Sequence, residues 1–130
     1  MSATATAKPL SAAPALLCVQ PRDVAEVERL LHVMQTPSRR CASGSEIIAQ
    51  AQAGPLSCVI AAVRLPDMSA SALIDALAKA APGLAVIVVA DNLAVSDAVS
   101  VMHSGAHAVI DSRTLSTGLL HHLTPLLRGR

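Results

Sequence analysis

The chain contains no phenylalanine, tyrosine or tryptophan. Single-stranded nucleic acid is held by stacking bases on aromatic rings, and ligand cations by aromatic cages, so both modes are excluded. Charge is scarce as well. Only 15% of residues are charged, and ten Lys and Arg against nine Asp and Glu leave a formal net charge of +1. The basic residues are scattered, apart from Arg39-Arg40 and Arg128-Gly129-Arg130. No phosphate-backbone partner is therefore expected, and no nucleic acid. The three cysteines, Cys18, Cys41 and Cys58, are an odd number with no CxxC spacing. They read as reduced thiols of a cytoplasmic chain. No apolar run approaches the roughly 18 residues of a membrane span. The start lacks the charged segment and apolar stretch of a signal peptide. Ala15-Leu16-Leu17-Cys18 has the outline of a lipoprotein cleavage box, but Leu17 is bulky where a small residue is needed.

What is present is aliphatic. Hydrophobic residues make up 52% of 130 residues, too apolar for a disordered chain and the right length for one domain. The core must be built from Leu, Val, Ile, Ala and Met. Residues 1–14 are mostly Ala, Ser, Thr and Pro and read as a disordered lead-in. Residues 15–128 read as the domain. Leu16 to Val19 is a short apolar run closed by Gln20-Pro21, a buried strand. Val24, Val27, Leu30, Leu31 and Met34 mark an amphipathic helix from Asp23 to Met34. Arg39 to Ala42 is a weaker strand, and Glu46 to Ala53 a short helix stopped by Gly54-Pro55. Ser57 to Val63 is the next strand. Ser69 or Ser71 caps a helix that runs to about Ala80.

Leu84 to Ala90 is the most continuous β-branched run and reads as a central strand buried on both faces. Val95, Ala98, Val99 and Met102 form a helical stripe stopped by Gly105. Ala106 to Ile110 is a short strand. Leu115, Leu119, Leu120, Leu123 and Leu127 mark the last helix, with Pro125 expected to fray its final turn. Strand and helix thus alternate five times. The pattern predicts an α/β fold, a doubly wound five-stranded parallel sheet in a single domain. Chemistry in such a sheet gathers at the carboxyl ends of the strands, here Gln20-Pro21, Ala62-Val63, Ala90-Asp91 and Asp111-Ser112.

Several segments carry a family likeness. Ile60-Ala61-Ala62-Val63-Arg64-Leu65-Pro66-Asp67-Met68-Ser69 resembles the third-strand segment V-I-L-D-L-R-L-P-D-M-S-G of bacterial response-regulator receiver domains. Ala42-Ser43-Gly44-Ser45-Glu46 resembles the family's A-S-G-x-E, and Ala98-Val99 through Gly105-Ala106 its A-V-x-A-M-x-x-G-A. The likeness runs in order from about Leu16 to Leu127. It implies the five-stranded receiver fold and a role in two-component signalling.

The likeness also implies a site, and every position of it differs here. Receivers hold Mg²⁺ with two acidic residues after the first strand, where this chain has Gln20 and Pro21. The phosphoacceptor aspartate corresponds to Ala62, and the hydroxyl residue ending the fourth strand to Ala90. The lysine ending the fifth strand corresponds to Ser112, and the switch aromatic to Val109. An alanine methyl is no nucleophile, and Gln20 offers one neutral amide oxygen. The expectation is a pseudo-receiver that is not an enzyme, carries no cofactor and binds neither phosphoryl group nor Mg²⁺. It would act by docking a protein partner or a second copy of itself. Val101, His103, Val109, Arg113, Leu119 and His122 are the candidate contacts, and the first helix around Glu26 and Arg29 is the alternative surface. Two other readings stay open: a metabolite sensor with a neutral pocket lined by Gln20, Ala62, Ala90 and Ser112, and a fragment of a transcriptional regulator.

Other residues carry groups capable of chemistry. Asp67, Asp91 and Asp111 fall near the same rim and suggest a displaced metal site or simply solvated carboxylates. His103 and His107 are separated by Gly105, and His121-His122 point about 100° apart on a helix, so neither pair has zinc-ligand spacing. Cys18 ends a strand as a phosphocysteine would, but Pro21 denies it the loop of backbone amides that a phosphate needs. Ser43-Gly44-Ser45 lacks the glycine and lysine pattern of a phosphate loop.

Overall fold

The computed structural model describes residues 13–90 and 95–128, the side chains of 95–98 and 126–128 excepted. The expected lead-in therefore falls outside the described residues up to position 12. Its last two residues are tied down, because the Ser57 amide donates to the Pro14 carbonyl at 2.9 Å. The chain then alternates strand and helix: β1 (Ala15–Cys18), α1 (Pro21–Val33), β2 (Ser38–Arg40), α2 (Gly44–Ala53), β3 (Cys58–Ala62), α3 (Ala70–Ala80), β4 (Val86–Ala90), α4 (Val95–Ser104), β5 (Ala108–Asp111), a single 3₁₀ turn (Ser112–Thr114) and α5 (Leu115–Arg128). The strands form one parallel sheet in the order β2-β1-β3-β4-β5. This is the doubly wound arrangement, with its reversal of strand order between β1 and β3.

Every residue of β1, β3 and β4 is buried. Successive side chains on a strand point to opposite faces, so the sheet divides its apolar residues between two layers. Leu16, Val59, Ala61 and Val88 face Ile47 of α2, Leu73 and Leu77 of α3 and Val101 of α4. Leu17, Ile60, Ile87 and Val89 face Val27 and Leu31 of α1 and Leu115, Leu119 and Leu123 of α5. β2 differs: all three residues are exposed. It is an edge strand armed with charge, Arg40 holding Glu28 of α1 through two bonds of 2.7 and 2.9 Å. Charge of this kind discourages pairing with a foreign strand.

The helix starts obey capping chemistry. Ser43 caps α2, accepting from the Glu46 amide at 3.2 Å, while the Glu46 carboxylate reaches past the cap to accept from the Ala42 amide at 2.7 Å. Ser69, not Ser71, caps α3, accepting from the Ala72 amide at 3.2 Å. Pro21 occupies the first position of α1, where its missing N–H costs nothing, so the helix begins two residues earlier than the apolar stripe suggested.

Three expectations about the last two helices are corrected. Val99 and Met102 of α4 are exposed, at 60% and 48%, whereas Val101 is buried at 2%. Residues two apart lie about 200° apart around a helix, so Val99 and Val101 cannot both face the sheet. Gly105, at φ +115, and Ala106, whose amide returns to the Val101 carbonyl, turn the Val101 side inward. On α5, Leu119 is fully buried and Leu120 is on the surface. Val101 and Leu119 are therefore core residues and are withdrawn as interaction contacts. Finally, α5 continues through Pro125 to Arg128, although Pro125 has no N–H for the His121 carbonyl.

Gly118 lies inside α5 over β5. A Cβ there would come within 2.6 Å of Ile110 Cγ2, on a β-branched side chain that cannot swing away. Alanine gains about 1 kcal/mol of helix propensity over glycine, whereas overpacking costs about 1–3 kcal/mol, so the clash should win. Gly118→Ala is expected to lower the urea midpoint; a raised midpoint would show that the α5–β5 gap opens freely. Val101→Glu and Leu119→Glu each place an unpaired carboxylate in the core, at a cost of several kcal/mol against a total stability of about 5–15 kcal/mol. Circular dichroism should find both variants largely unfolded.

Candidate functional site

In a parallel sheet all carboxyl ends share one edge, and a crevice opens where the strand order reverses. An open cleft of ≈ 360 Å³ lies there, lined by Cys18, Val19, Gln20, Pro21, Cys41, Ala42, Ala62, Arg64, Leu65 and Pro66. Three of the five singled-out positions, Gln20, Pro21 and Ala62, are on its wall. Ala90 and Ser112 are not, so the expected pocket lined by all of Gln20, Ala62, Ala90 and Ser112 is corrected. The cleft extends toward the end of β2 rather than toward β4 and β5. Ala90, 4% exposed, is packed in the end of β4.

Ser112 has a partner of its own. Its hydroxyl donates to Oδ1 of Asp23 at 2.9 Å. Asp23 sits in the first turn of α1 and is buried at 6% exposure. The carboxylate faces the positive end of the helix dipole, which suits its charge. Spacing does not single out Asp23, because it lies beyond the Gln20-Pro21 positions that follow β1. The overlooked signal was an acidic residue in the first turn of the helix that directly follows β1.

The other carboxylates near the rim are also engaged. Asp67, at the tip of the turn closed by Leu65 N–H to Met68 O at 2.8 Å, reaches across to the start of α2. It accepts from the Gly44 amide at 2.8 Å, the Ser45 amide at 3.0 Å and the Ser45 hydroxyl at 2.7 Å. The Ser45 hydroxyl, with the Gly44 amide next, holds its carboxyl below the usual range. Ser43-Gly44-Ser45 is thus an anion site filled by the chain's own carboxylate. The Met68 side chain packs over Gly44, where a Cβ would come within 2.5 Å of its Sδ and the thioether would have to shift. Asp111 accepts from Arg113 through its backbone amide at 2.8 Å and its guanidinium at 2.7 Å, and the guanidinium, first among causes, holds its carboxyl down at about 2. Asp91 lies outside the described residues. Among the described residues no three His, Cys, Asp or Glu side chains are placed to share a metal ion.

Of the proposed surface residues, His103 and Arg113 are exposed and Val109 and His122 half-buried. Glu26 of the alternative surface binds Arg29 at 2.5 Å and also accepts from the Ser116 hydroxyl, linking α1 to α5. The histidines do meet, in a grouping the spacing had not suggested. The His122 ring packs edge-on against His121, with centroids 5.0 Å apart, and against His107 at 5.9 Å. Burial, then His121 and His107, push the His122 imidazole below its ordinary value.

No protein-family model and no curated protein matches this chain. Solved structures do. A response regulator receiver protein from Pseudoalteromonas atlantica superimposes with a TM-score of 0.77 at 23% identity, over 89% of this chain and 97% of that one. A CheY-like receiver domain protein from Methanospirillum hungatei gives 0.73 at 20%, over 92% and 100%. The receiver domain of a sensor histidine kinase from Pseudomonas aeruginosa gives 0.77 at 15%, over 90% and 98%. The chain has the receiver fold. In that last structure a magnesium ion is coordinated in the active site cleft. On the receiver sheet of the present chain, the carboxyl edge offers Gln20, Pro21, Ala62, Ala90 and a Ser112 bound to Asp23.

Two outcomes test this geometry. Ser112→Ala leaves the buried Asp23 carboxylate without its hydroxyl donor. A hydrogen bond to a charged group contributes about 1.5–3 kcal/mol when buried, and Ser112 is half-buried, so a loss of about 1–2 kcal/mol is expected in urea denaturation. No loss would mean that water replaces the hydroxyl. Folding also disfavours His122 protonation. Below its ordinary pKa of 6.5 the unfolded chain binds the proton that the folded chain resists, so stability falls as pH drops through this window. The Tm of His122→Gln should fall less than that of the parent between about pH 7 and about pH 5; equal slopes would clear His122 of the effect.

Proposed function

We propose that this chain is a pseudo-receiver: a protein-interaction module of two-component-type signalling that works without phosphorylation. The observation that carries the reading is the end of β3, where Ala62 stands at the cleft with no carboxylate to accept a phosphoryl group. Phosphoryl transfer to a protein needs such a nucleophile. The donor set supports the same conclusion for magnesium. Mg²⁺ prefers hard oxygens, chiefly carboxylates, and demands near-octahedral geometry. Gln20, Pro21 and Ala62 supply one neutral amide oxygen among them, and the Asp23 carboxylate is bonded to Ser112. These residues do not fit the ion. Burial pushes all three thiols above the ordinary thiol range, so at neutral pH they are poor nucleophiles for turnover.

On this reading the working surface is the exposed side of α4 and α5 with the turn before α5: Val99, Met102 and His103, Leu120 and His122, and Arg113. Val109, stiff at χ1 and half-buried against the α2–α4 layer, is no toggle, so binding is constitutive. The partner is a protein or a second copy of the chain, met in the cytoplasm; no helix among the described residues is long and apolar enough to cross a membrane. The open, largely uncharged cleft favours a second reading, recognition of a small metabolite, for which thermal-shift screening against metabolites is the direct test.

Incubation with acetyl phosphate and Mg²⁺ should leave the intact mass unchanged, and millimolar Mg²⁺ should leave Tm where it was. Ala62→Asp alone should not restore phosphorylation, because Gln20, Pro21, Ala90 and Ser112 remain. Acid-labile phosphate on any aspartate of the parent, or a Tm that climbs with Mg²⁺, would overturn the proposal.

A further inference from the structure

Two of the three cysteines lie at the ends of neighbouring strands, on the wall of one cleft. β1 and β2 pair in the register Ala15↔Ser38, Leu16↔Arg39, Leu17↔Arg40. The Cys41 amide donates to the Leu17 carbonyl at 2.8 Å, which closes the last of these pairs. Cys18 and Cys41 are the next residue along each segment, directly beyond that pair. Neighbouring strands lie about 4.7–4.9 Å apart, inside the Cα separation of about 4.4–6.8 Å that a disulfide spans. Both cysteines share a face of the sheet, the layer under α2 and α3. Both also line the cleft, where each keeps a sliver of exposure, 9% for Cys18 and 8% for Cys41. Cys58 is excluded from this pairing. It is fully buried in the opposite layer and stands beside Ala15, at the far end of β1.

We propose that Cys18 and Cys41 are a modification site, a dithiol that a low-molecular-weight disulfide such as glutathione disulfide closes into a cross-strand disulfide at the cleft wall. One thiol loses its proton, and its thiolate attacks a sulfur of the oxidant. The oxidant's S–S bond breaks, one glutathione thiolate leaves, and a mixed disulfide remains on the protein. The second cysteine, deprotonated in turn, attacks the protein sulfur of that mixed disulfide and expels the second glutathione. The protein gives up two electrons and two protons, and one glutathione disulfide becomes two glutathiones. Thiolate is the attacking species, and burial raises both pKa values, Cys41 to about 11, so closure speeds up as pH rises. The product would bind the exposed edge strand covalently to β1 and narrow the cleft.

The test uses the full reduced chain, incubated with excess glutathione disulfide at mildly alkaline pH and quenched in acid. Trypsin followed by a protease cutting after Glu46 separates Cys41 from Cys58. The expected result is a monomer lighter by two hydrogens, with the Cys18 and Cys41 peptides linked and Cys58 free to be alkylated after unfolding. Cys58→Ala should close as the parent does. Cys18→Ala, checked for folding by circular dichroism, should stop at a glutathione adduct on Cys41. A persistent adduct on the parent, a link through Cys58, or an intermolecular disulfide would overturn the proposal. So would a native chain that resists oxidation under conditions that oxidise it in urea. The peptide map of the parent decides the matter even where a variant fails to fold.

Discussion

The constraint on which this structure depends is that a parallel sheet must be covered on both faces, here with no aromatic ring to fill space. β1, β3 and β4 are buried throughout, and each passes alternate residues to two helix layers. Aliphatic side chains are small, so helices must come close. Gly118 against Ile110 is one such close approach, of α5 to β5. Burying each large aliphatic side chain contributes about 1.5–3 kcal/mol, and a sheet clad on both faces gains this on each side. The edge strand β2 is spared because it has charge instead of core, through Arg39 to Gln50 and Arg40 to Glu28.

A second device holds the site end of the sheet. Asp67 reaches from the β3–α3 turn to three donors at the start of α2. Two of the segments that resemble receivers, Ala42 to Glu46 and Arg64 to Ser69, are therefore one clamp. Its chemistry is local capping, independent of any phosphoryl group or metal. This explains how the scaffold at the cleft stands firm while the β3 terminus carries Ala62. The carboxylate that braces the loop is separate from the one a phosphoacceptor would need.

The element order and the division into buried strands were legible because continuous apolar runs such as Val86 to Val89 have few other readings. Faces of the helices were less so. Val99, Val101 and Met102 are all apolar, and hydrophobicity alone does not say which one turns inward; the Gly105 turn decides it. Leu119 and Leu120 pose the same problem on α5, and register over Ile110 settles it. At the site, the residues on the strand ends were readable one by one. Their partners were not: Ser112 to Asp23 joins positions 89 residues apart, and the His107–His122 contact also crosses elements. No local spacing encodes such pairs.

A cleft wall built from Gln20, Pro21 and Ala62 carries no carboxylate, and this has an energetic side. Carboxylates crowded at one strand edge repel each other and raise one another's pKa values, which makes such a site dependent on a cation for relief. Here the rim carboxylates are dispersed, each with its own donor: Asp23 with Ser112, Asp67 with α2, Asp111 with Arg113. Among the described residues, each of these carboxylates already has a donor before any ligand binds. A ligand shifts an equilibrium only by its differential affinity for the two states. A receiver edge with its charges satisfied internally gives phosphate and Mg²⁺ little to discriminate between. On the proposed reading, a surface presented continuously, rather than released by a signal, is the natural counterpart of that electrostatic arrangement.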